Sequence, residues 1–182
     1  ATTKCVVGTE KKSHKISDKE KKLTAYHEAG HAIASYYTEG QDPVHETAII
    51  PGGTVGGYTM YLPEEDKNYV SKSDMLGELV SLLGGRVAEA VALGDIATGA
   101  SNDLERATSL AREMITIYGM SDKIGPVSFA SGDREVFLGR DYGSTKNYSE
   151  KVAADIDAEI KEIITDAYSK CENIIRTHQD KL

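Results

Sequence analysis

The sequence has few cysteines, no excess of basic residues and no long apolar run. Its 182 residues include only two cysteines, Cys5 and Cys171, which lie near opposite ends of the chain and outside any CxxC pair. Their scarcity excludes a disulfide framework and a structural zinc site built on cysteine, and it is typical of a protein from a reducing cytosol. A chain of this length buries a core of its own without such cross-links.

Positive charge is also scarce. The chain has 21 Lys and Arg against 29 Asp and Glu, a formal net charge of -8. Nucleic-acid binding requires clustered Lys and Arg, and the one basic cluster, residues 11–22, is interrupted by Asp18 and Glu20. We therefore expect no nucleic-acid partner. Because no apolar run approaches the roughly 20 residues that cross a bilayer, we also expect a soluble chain without membrane contact.

Hydrophobic periodicity predicts a mainly α-helical domain with a small β-sheet, which is an α+β fold. Residues 8–20 carry almost no apolar side chains and are typical of a linker, so the folded domain is expected to start near Lys21. Helices are predicted over residues 23–37, 71–93, 102–118 and 150–178, the last one long and amphipathic. Short strands are predicted at 44–50 and 58–62, and a surface loop at 131–149.

The segment YHEAGHA, residues 26–32, lies inside the first predicted helix and carries a chemical signal. His27 and His31 are four residues apart, so both imidazoles lie on one face of a helix and can bind one zinc ion. Glu28 projects about 100° round the helix from His27, close enough to take a proton from an attacking water without being a ligand. The HExxH spacing therefore predicts a zinc-dependent peptidase with Glu28 as its general base.

The alternative is a chance occurrence of the motif, in which the two histidines are simply packed. The neighbours Ala29, Gly30 and Ala32 are small and leave room for other segments to approach the metal-binding face. This environment favours the metal site.

A catalytic zinc site needs a third protein ligand, and the residues close to the motif do not supply one. Tyr37 occupies the position at which metzincins place a further histidine. Two acidic residues are candidates, Glu89 in GGRVAEA and Asp103 in TGASNDLERAT. Glu89 could instead pair with Arg86 or support a ligand from behind, and Asp103 could instead balance a helix dipole.

The spacing of Asn102 and Glu105 fits a capping box. Asn102 is therefore predicted to cap the third helix, which leaves the Asp103 side chain free at the first helical position. The residues alone still leave the choice between Glu89 and Asp103 open.

Five segments in this order resemble one known family: YHEAGHA, VHETAIIP, GGYTMYLPEED, LLGGRVAE and TGASNDLERAT. The sequence resembles the peptidase domain of the FtsH family, the membrane-anchored, ATP-dependent AAA+ zinc metalloproteases, over nearly its whole length. The resemblance implies that Asp103 is the third zinc ligand beside His27 and His31. It leaves Glu89 and Asn102 in supporting positions near the site.

The resemblance also implies a longer protein with a membrane anchor, an ATPase module and this peptidase domain, assembled as a homo-hexamer that degrades unfolded or membrane proteins. Residues 1–20 would be a linker and the remnant of the ATPase module, and residues 21–182 the zinc peptidase domain. The chain has no GxxxxGK(S/T) phosphate loop, so ATP would bind only outside it. The implied location is the cell membrane, with this domain on the cytoplasmic side.

Family members bind substrate as an extended strand beside a sheet edge. The matching positions are Gly56, Gly57, Tyr58, Thr59 and Met60. Edge pairing uses main-chain hydrogen bonds and so tolerates many substrate sequences, whereas the alternative is an ordinary strand between turn glycines. A competing function is a catalytically silent oligomerisation module, suggested by the long amphipathic helices. The intact Glu28 argues against that function.

Overall fold

The fold is taken from a computed structural model that describes residues 17–50, 56–63, 68–129 and 148–182. These residues form mostly helix and one two-stranded sheet, which confirms the predicted α+β fold. In chain order the elements are α1 (Asp18–Tyr36), β1 (Val44–Ile49), β2 (Gly57–Tyr61), α2 (Lys72–Leu93), a 3-10 turn (Thr98–Ala100), α3 (Ser101–Thr116) and α4 (Glu150–Thr177).

Helix α1 begins earlier than its apolar pattern predicts. The Ser17 hydroxyl accepts a hydrogen bond from the Glu20 backbone N–H, and the Glu20 carboxylate accepts one from the Ser17 N–H, which completes a capping box. Charged residues then fill the first turn, and Lys19 and Glu20 among them have good helix propensity. Residues 18–20, which the sequence assigns to a linker, are therefore helical because the cap starts the helix before the apolar face does.

Helix α2 matches its prediction closely. Ser71 caps its N-terminus in a second capping box with Asp74, and Gly94 ends it in the left-handed conformation at φ 65°. The bounds of α4 and of both strands also agree with prediction to within about two residues, the usual uncertainty of element ends. Most of the predicted loop at 131–149 lies outside the described residues, as do residues 51–55 between the two predicted strands and residues 1–16 of the predicted linker segment.

The predicted cap of α3 is wrong. Asn102 lies inside the helix, Ala100 occupies the N-cap position, and no side chain caps this end. The reason is that the 3-10 turn runs directly into α3, so the chain has no extended residue at which an asparagine could cap. Asp103 nevertheless lies in the first turn of α3, as predicted.

The apolar core lies around α2, which packs against α1, α3 and α4. Its fully buried members include Leu79, Leu83, Val87, Met114, Ile115, Ile156, Cys171 and Ile175. The antiparallel sheet lies against α1, with Thr47 paired to Thr59 and Ile49 to Gly57. Among the described helices none has the length and hydropathy of a membrane span.

Candidate metal centre

Three glycines allow α1 and α2 to approach backbone to backbone at the predicted site. A Cβ atom on Gly30 would lie 2.3 Å from the Gly84 carbonyl oxygen, and one on Gly84 would lie 2.6 Å from the Gly30 oxygen. A Cβ atom on Gly85 would lie 2.5 Å from His27 Cε1, inside the space that the imidazole ring occupies. Both helices therefore carry glycine where they touch. The small residues around the histidines leave room for α2 to approach the metal-binding face of α1, as the sequence suggested.

The Nδ1 atom of each histidine makes a hydrogen bond on the side of the ring away from the other histidine. His27 Nδ1 lies 2.8 Å from Glu89 Oε1, and His31 Nδ1 lies 2.8 Å from the Ser81 carbonyl oxygen. Both partners accept hydrogen bonds, so each Nδ1 carries the hydrogen and each neutral imidazole presents a bare Nε2 lone pair. The tautomer of each ring is the one that a metal ligand needs.

These two lone pairs converge with the Asp103 carboxylate. The two Nε2 atoms are 3.1 Å apart, and Asp103 Oδ2 lies 3.3 Å from His27 Nε2 and 3.4 Å from His31 Nε2. Three acceptors at such distances repel one another unless a proton or a metal ion lies between them. Ligand atoms about 2.0–2.1 Å from a tetrahedral zinc ion are about 3.3 Å apart. The donor set and its spacing therefore fit zinc.

The pKa values of Asp103 and His27 reflect the same preference for a positive charge between the acceptor atoms. Burial alone would raise the pKa of Asp103, but the hydrogen bonds that His27 and His31 donate to it when they are protonated outweigh burial and hold that pKa well below its usual range. Burial opposes protonation of His27, but its hydrogen bonds with Asp103 and Glu89 prevail and raise its pKa. The site favours a positive charge between the histidines and the carboxylate, and a proton supplies that charge when no metal does.

Glu89, the other candidate for the third ligand, lies behind His27. It is fully buried, and its second oxygen, Oε2, accepts a hydrogen bond from the Ala97 backbone N–H at 2.7 Å. Arg86 does not pair with it but donates to the Ala97 carbonyl oxygen at 3.4 Å. Glu89 thus orients a histidine and anchors the segment that leads to Asp103, which is a supporting role.

Glu28 lies beside the histidines with 8% of its surface exposed. Thr59 on β2 donates its hydroxyl hydrogen to Glu28 Oε2 at 2.8 Å and lies 3.2 Å from the Glu28 carbonyl oxygen. Sequence reasoning placed Thr59 in a substrate strand and missed this contact. The strand period puts residues 57, 59 and 61 on the face opposite to 58 and 60, but no pattern in the sequence indicates that this face meets Glu28.

A cavity of about 670 Å³ opens over these groups and includes both histidines, Glu28 and Asp103. Four of the five predicted substrate-strand residues line it, Gly56, Gly57, Tyr58 and Thr59, whereas Met60 does not. Asn102 lines the same cavity beside Asp103, although it makes no cap.

Tyr61 and Arg106 also line the cavity, and neither was assigned a role from the sequence. Burial and the nearby carboxylates of Glu28 and Asp103 raise the pKa of Tyr61 to about 12, against the opposing effect of Arg106. The Tyr61 hydroxyl in this cavity wall therefore stays protonated.

Comparison with known proteins gives consistent results. The chain is 58% identical over its full length to the ATP-dependent zinc metalloprotease FtsH 1 of Thermoanaerobacter sp. (strain X514) and covers 30% of that protein. It is 59% identical, again with 30% of the relative covered, to the ATP-dependent zinc metalloprotease FtsH of Caldicellulosiruptor bescii. For the protein of that name from Bacillus subtilis, the identity is 45% with 29% covered. The chain therefore spans about 30% of the length of these relatives.

The family comparison covers nearly all of the chain. The sequence model of peptidase family M41 matches residues 14–182, which contain both histidines, Glu28 and Asp103. The candidate metal centre lies within the matched residues, and this chain belongs to peptidase family M41.

Proposed function

We propose that this domain is a zinc-dependent endopeptidase in which His27, His31 and Asp103 bind the metal ion and Glu28 is the general base. The observation that carries the proposal is the meeting of two bare Nε2 atoms and one carboxylate oxygen within 3.4 Å of one another. A buried carboxylate, Glu28, lies beside them in the same cavity. This arrangement has the three protein ligands and the separate base that a hydrolytic zinc site requires.

When bound, the zinc ion supplies Lewis-acid activation of an attacking water and of the scissile carbonyl. Glu28 accepts a proton as the water oxygen bonds to the carbonyl carbon, and it then delivers that proton to the amine nitrogen as the C–N bond breaks. Glu89 and the Ser81 carbonyl oxygen keep the histidine rings in the orientation that metal binding needs. The second proton of the water also passes to the amine, so the products are a carboxylate and an ammonium group, and Glu28 returns to its ionised form.

The substrates in this proposal are unfolded polypeptides, and membrane proteins among them. They would lie as an extended strand along residues 56–60 and would be delivered by an ATPase module outside this chain. The relatives' names support ATP dependence, and residues 1–20 would join that module to the peptidase domain, residues 21–182. In the longer protein we expect a homo-hexamer anchored at the cell membrane, with this domain on the cytoplasmic side.

Zinc content and chelator-sensitive digestion of an unfolded protein test the proposal together. We expect one zinc ion per chain and cleavage that stops when a chelator removes the metal. The variant Glu28→Gln should keep its zinc and lose cleavage, because an amide cannot accept the water proton. Glu39→Gln makes the same change at an exposed position and should cleave like the unaltered chain. Cleavage retained by Glu28→Gln would exclude Glu28 as the base.

The competing proposal is a catalytically silent oligomerisation module. The long amphipathic helix α4, with 28 residues, favours it, and it predicts hexamers in light scattering without metal-dependent cleavage. A silent module has no use for a buried Glu28 with its own hydrogen-bond donor, and that contact supports the peptidase.

A further inference from the structure

The strand β2 touches the proposed base through alternate residues. Gly57 and Thr59 both contact Glu28, while Tyr61, two residues further on, lines the same cavity. This is the period of a strand whose inner face is turned towards α1. The Thr59 side chain therefore meets the base from this face, and pairing of β2 with a substrate strand would use main-chain groups.

Thr59 contacts both the side chain and the main chain of Glu28. Its hydroxyl lies 2.8 Å from Oε2 and 3.2 Å from the carbonyl oxygen of the same residue. One donor placed between these two acceptors fixes the carboxylate relative to its own backbone. In the described part of the chain the other carboxylate oxygen, Oε1, has no hydrogen-bond partner, so it is available to accept a proton.

Gly57 supplies the space for this arrangement. A Cβ atom at this position would lie 2.8 Å from Glu28 Cγ and 2.9 Å from the Ala48 carbonyl oxygen, which belongs to the neighbouring strand. The side chain of Glu28 can therefore lie against β2 only because residue 57 has no side chain. The carboxylate is packed on one side by Gly57 and hydrogen-bonded by Thr59.

We propose that Thr59 is a positioning residue for Glu28, holding Oε2 so that Oε1 faces the reacting water. The inference rests on the proposed function, in which Glu28 is the general base. It assigns the Thr59 side chain to the base and leaves the recognition of substrate on this strand to main-chain groups. Glutamate has three rotatable side-chain bonds, and a base held in one orientation needs no reordering before it accepts a proton.

The kinetic test uses Thr59→Val, which keeps the branched shape and removes the hydroxyl. We expect kcat for an unfolded substrate to fall by about 10- to 100-fold, by analogy with the loss found when a group that orients a metal ligand is removed. KM and zinc stoichiometry should stay as they are, because main-chain pairing and the three ligands are untouched. Thr59→Ser restores the donor and should recover most of the lost kcat.

The matched control is Thr47→Val. Thr47 is the partner of Thr59 across the sheet but is exposed to solvent. The same substitution on the same rung should leave kcat and KM unchanged. A Thr59→Val variant with unchanged kcat, or with a raised KM and unchanged kcat, would overturn the proposal in favour of a role in the sheet or in substrate recognition.

A crystal structure of zinc-loaded Thr59→Val gives a second result that does not depend on activity. We expect the Glu28 carboxylate to turn away from β2, and a carboxylate that keeps its position without the hydroxyl would refute the positioning role. If the unaltered chain shows no metal-dependent cleavage, the proposed function fails, and the crystal structure still decides for or against Thr59 as the residue that holds Glu28.

Discussion

Helix α2 has two faces that pack in opposite ways, one with glycine at a backbone contact and one with large apolar side chains. Towards α1 it presents Gly84 and Gly85 with polar contacts to both histidines, and the helix backbones touch. Towards the rest of the core it presents Leu79, Leu83 and Val87, which are fully buried. The first face depends on missing side-chain atoms, and the second depends on filled volume. An added methyl group should therefore damage the first face, and a removed one should damage the second.

The largest effect should come from one added carbon at Gly84. A Cβ atom there would lie within 2.8 Å of the Gly30 carbonyl carbon and of His31 Cα, and backbone atoms cannot rotate aside. We expect Gly84→Ala to be unfolded or to separate α1 from α2, and to bind no zinc in the site. Gly99→Ala adds the same carbon where no atom of the described residues lies within 4 Å, and it should fold normally by circular dichroism. Normal folding and zinc binding by Gly84→Ala would show that the two helices can move apart at little cost.

The opposite change tests the apolar face. Leu83→Ala removes a fully buried side chain from the core and should lower the free energy of unfolding by about 3 kcal/mol, as large-to-small core changes commonly do. Urea unfolding at fixed zinc concentration measures the loss. The dissociation constant for zinc should hardly change, because Leu83 belongs to the core and not to the metal cluster. Weaker zinc binding would mean that the two faces of α2 are coupled.

A smaller effect is expected from Glu89→Gln. The change keeps the side-chain volume but weakens the hydrogen bond that orients His27, so zinc affinity should fall by about 10- to 100-fold. Asp103→Asn removes a proposed ligand and should reduce the affinity much further. Competition with a coloured chelator gives both constants. A larger loss in Glu89→Gln than in Asp103→Asn would reverse the assignment of the third ligand.

The smallest effect should be the pH dependence of the metal-free domain, because it involves single ionisable groups. The interactions that raise the pKa of His27 in the folded state also stabilise the fold. This stabilisation is fully present at pH values below the unfolded pKa of about 6.5. That stabilisation is lost as the pH rises through the folded pKa. The interactions that lower the pKa of Asp103 stabilise the fold at pH values above its unfolded pKa of about 3.9. That stabilisation is lost as the pH falls through the folded pKa.

With a chelator present, the free energy of unfolding should therefore decrease as the pH is raised above about 6.5. With zinc present the trend should reverse, because protons and zinc compete for the same histidine nitrogen. Urea unfolding over this pH range checks both trends, and Asp103→Asn, which removes one cause of the raised His27 pKa, should flatten the first. A metal-free domain that becomes more stable at higher pH would contradict the prediction.

The sequence predicted those features that depend on local pattern. The bounds of α2 follow from Ser71, Gly94 and the apolar period between them, and the shared face of His27 and His31 follows from the spacing of HEAGH. Charge and spacing left two candidates for the third ligand, and the family resemblance favoured Asp103. The structure brings Asp103 to the histidines and places Glu89 behind one of them.

The rest depends on contacts between segments that are far apart in the chain. Thr59 and Glu28 are separated by 31 residues, and no local pattern relates a strand hydroxyl to a helix carboxylate. The cap predicted at Asn102 failed because a capping box assumes an extended residue before the helix, and the 3-10 turn removes it. Patterns of a few residues specify elements, whereas the orientation of the base and of the ligands depends on how those elements pack.

The carboxylate of Glu89 has a kinetic consequence. One oxygen holds His27, and the other holds Ala97, in the segment that leads to the third ligand. A metal ion that leaves this site must lose its ligands from two separate parts of the chain, and Glu89 connects those parts. We therefore expect the residence time of zinc to be set by local opening of the segment around Ala97. Isotope exchange of bound zinc should then be slow in the unaltered chain and fast in any variant that lacks the hydrogen bond between Glu89 and the Ala97 backbone.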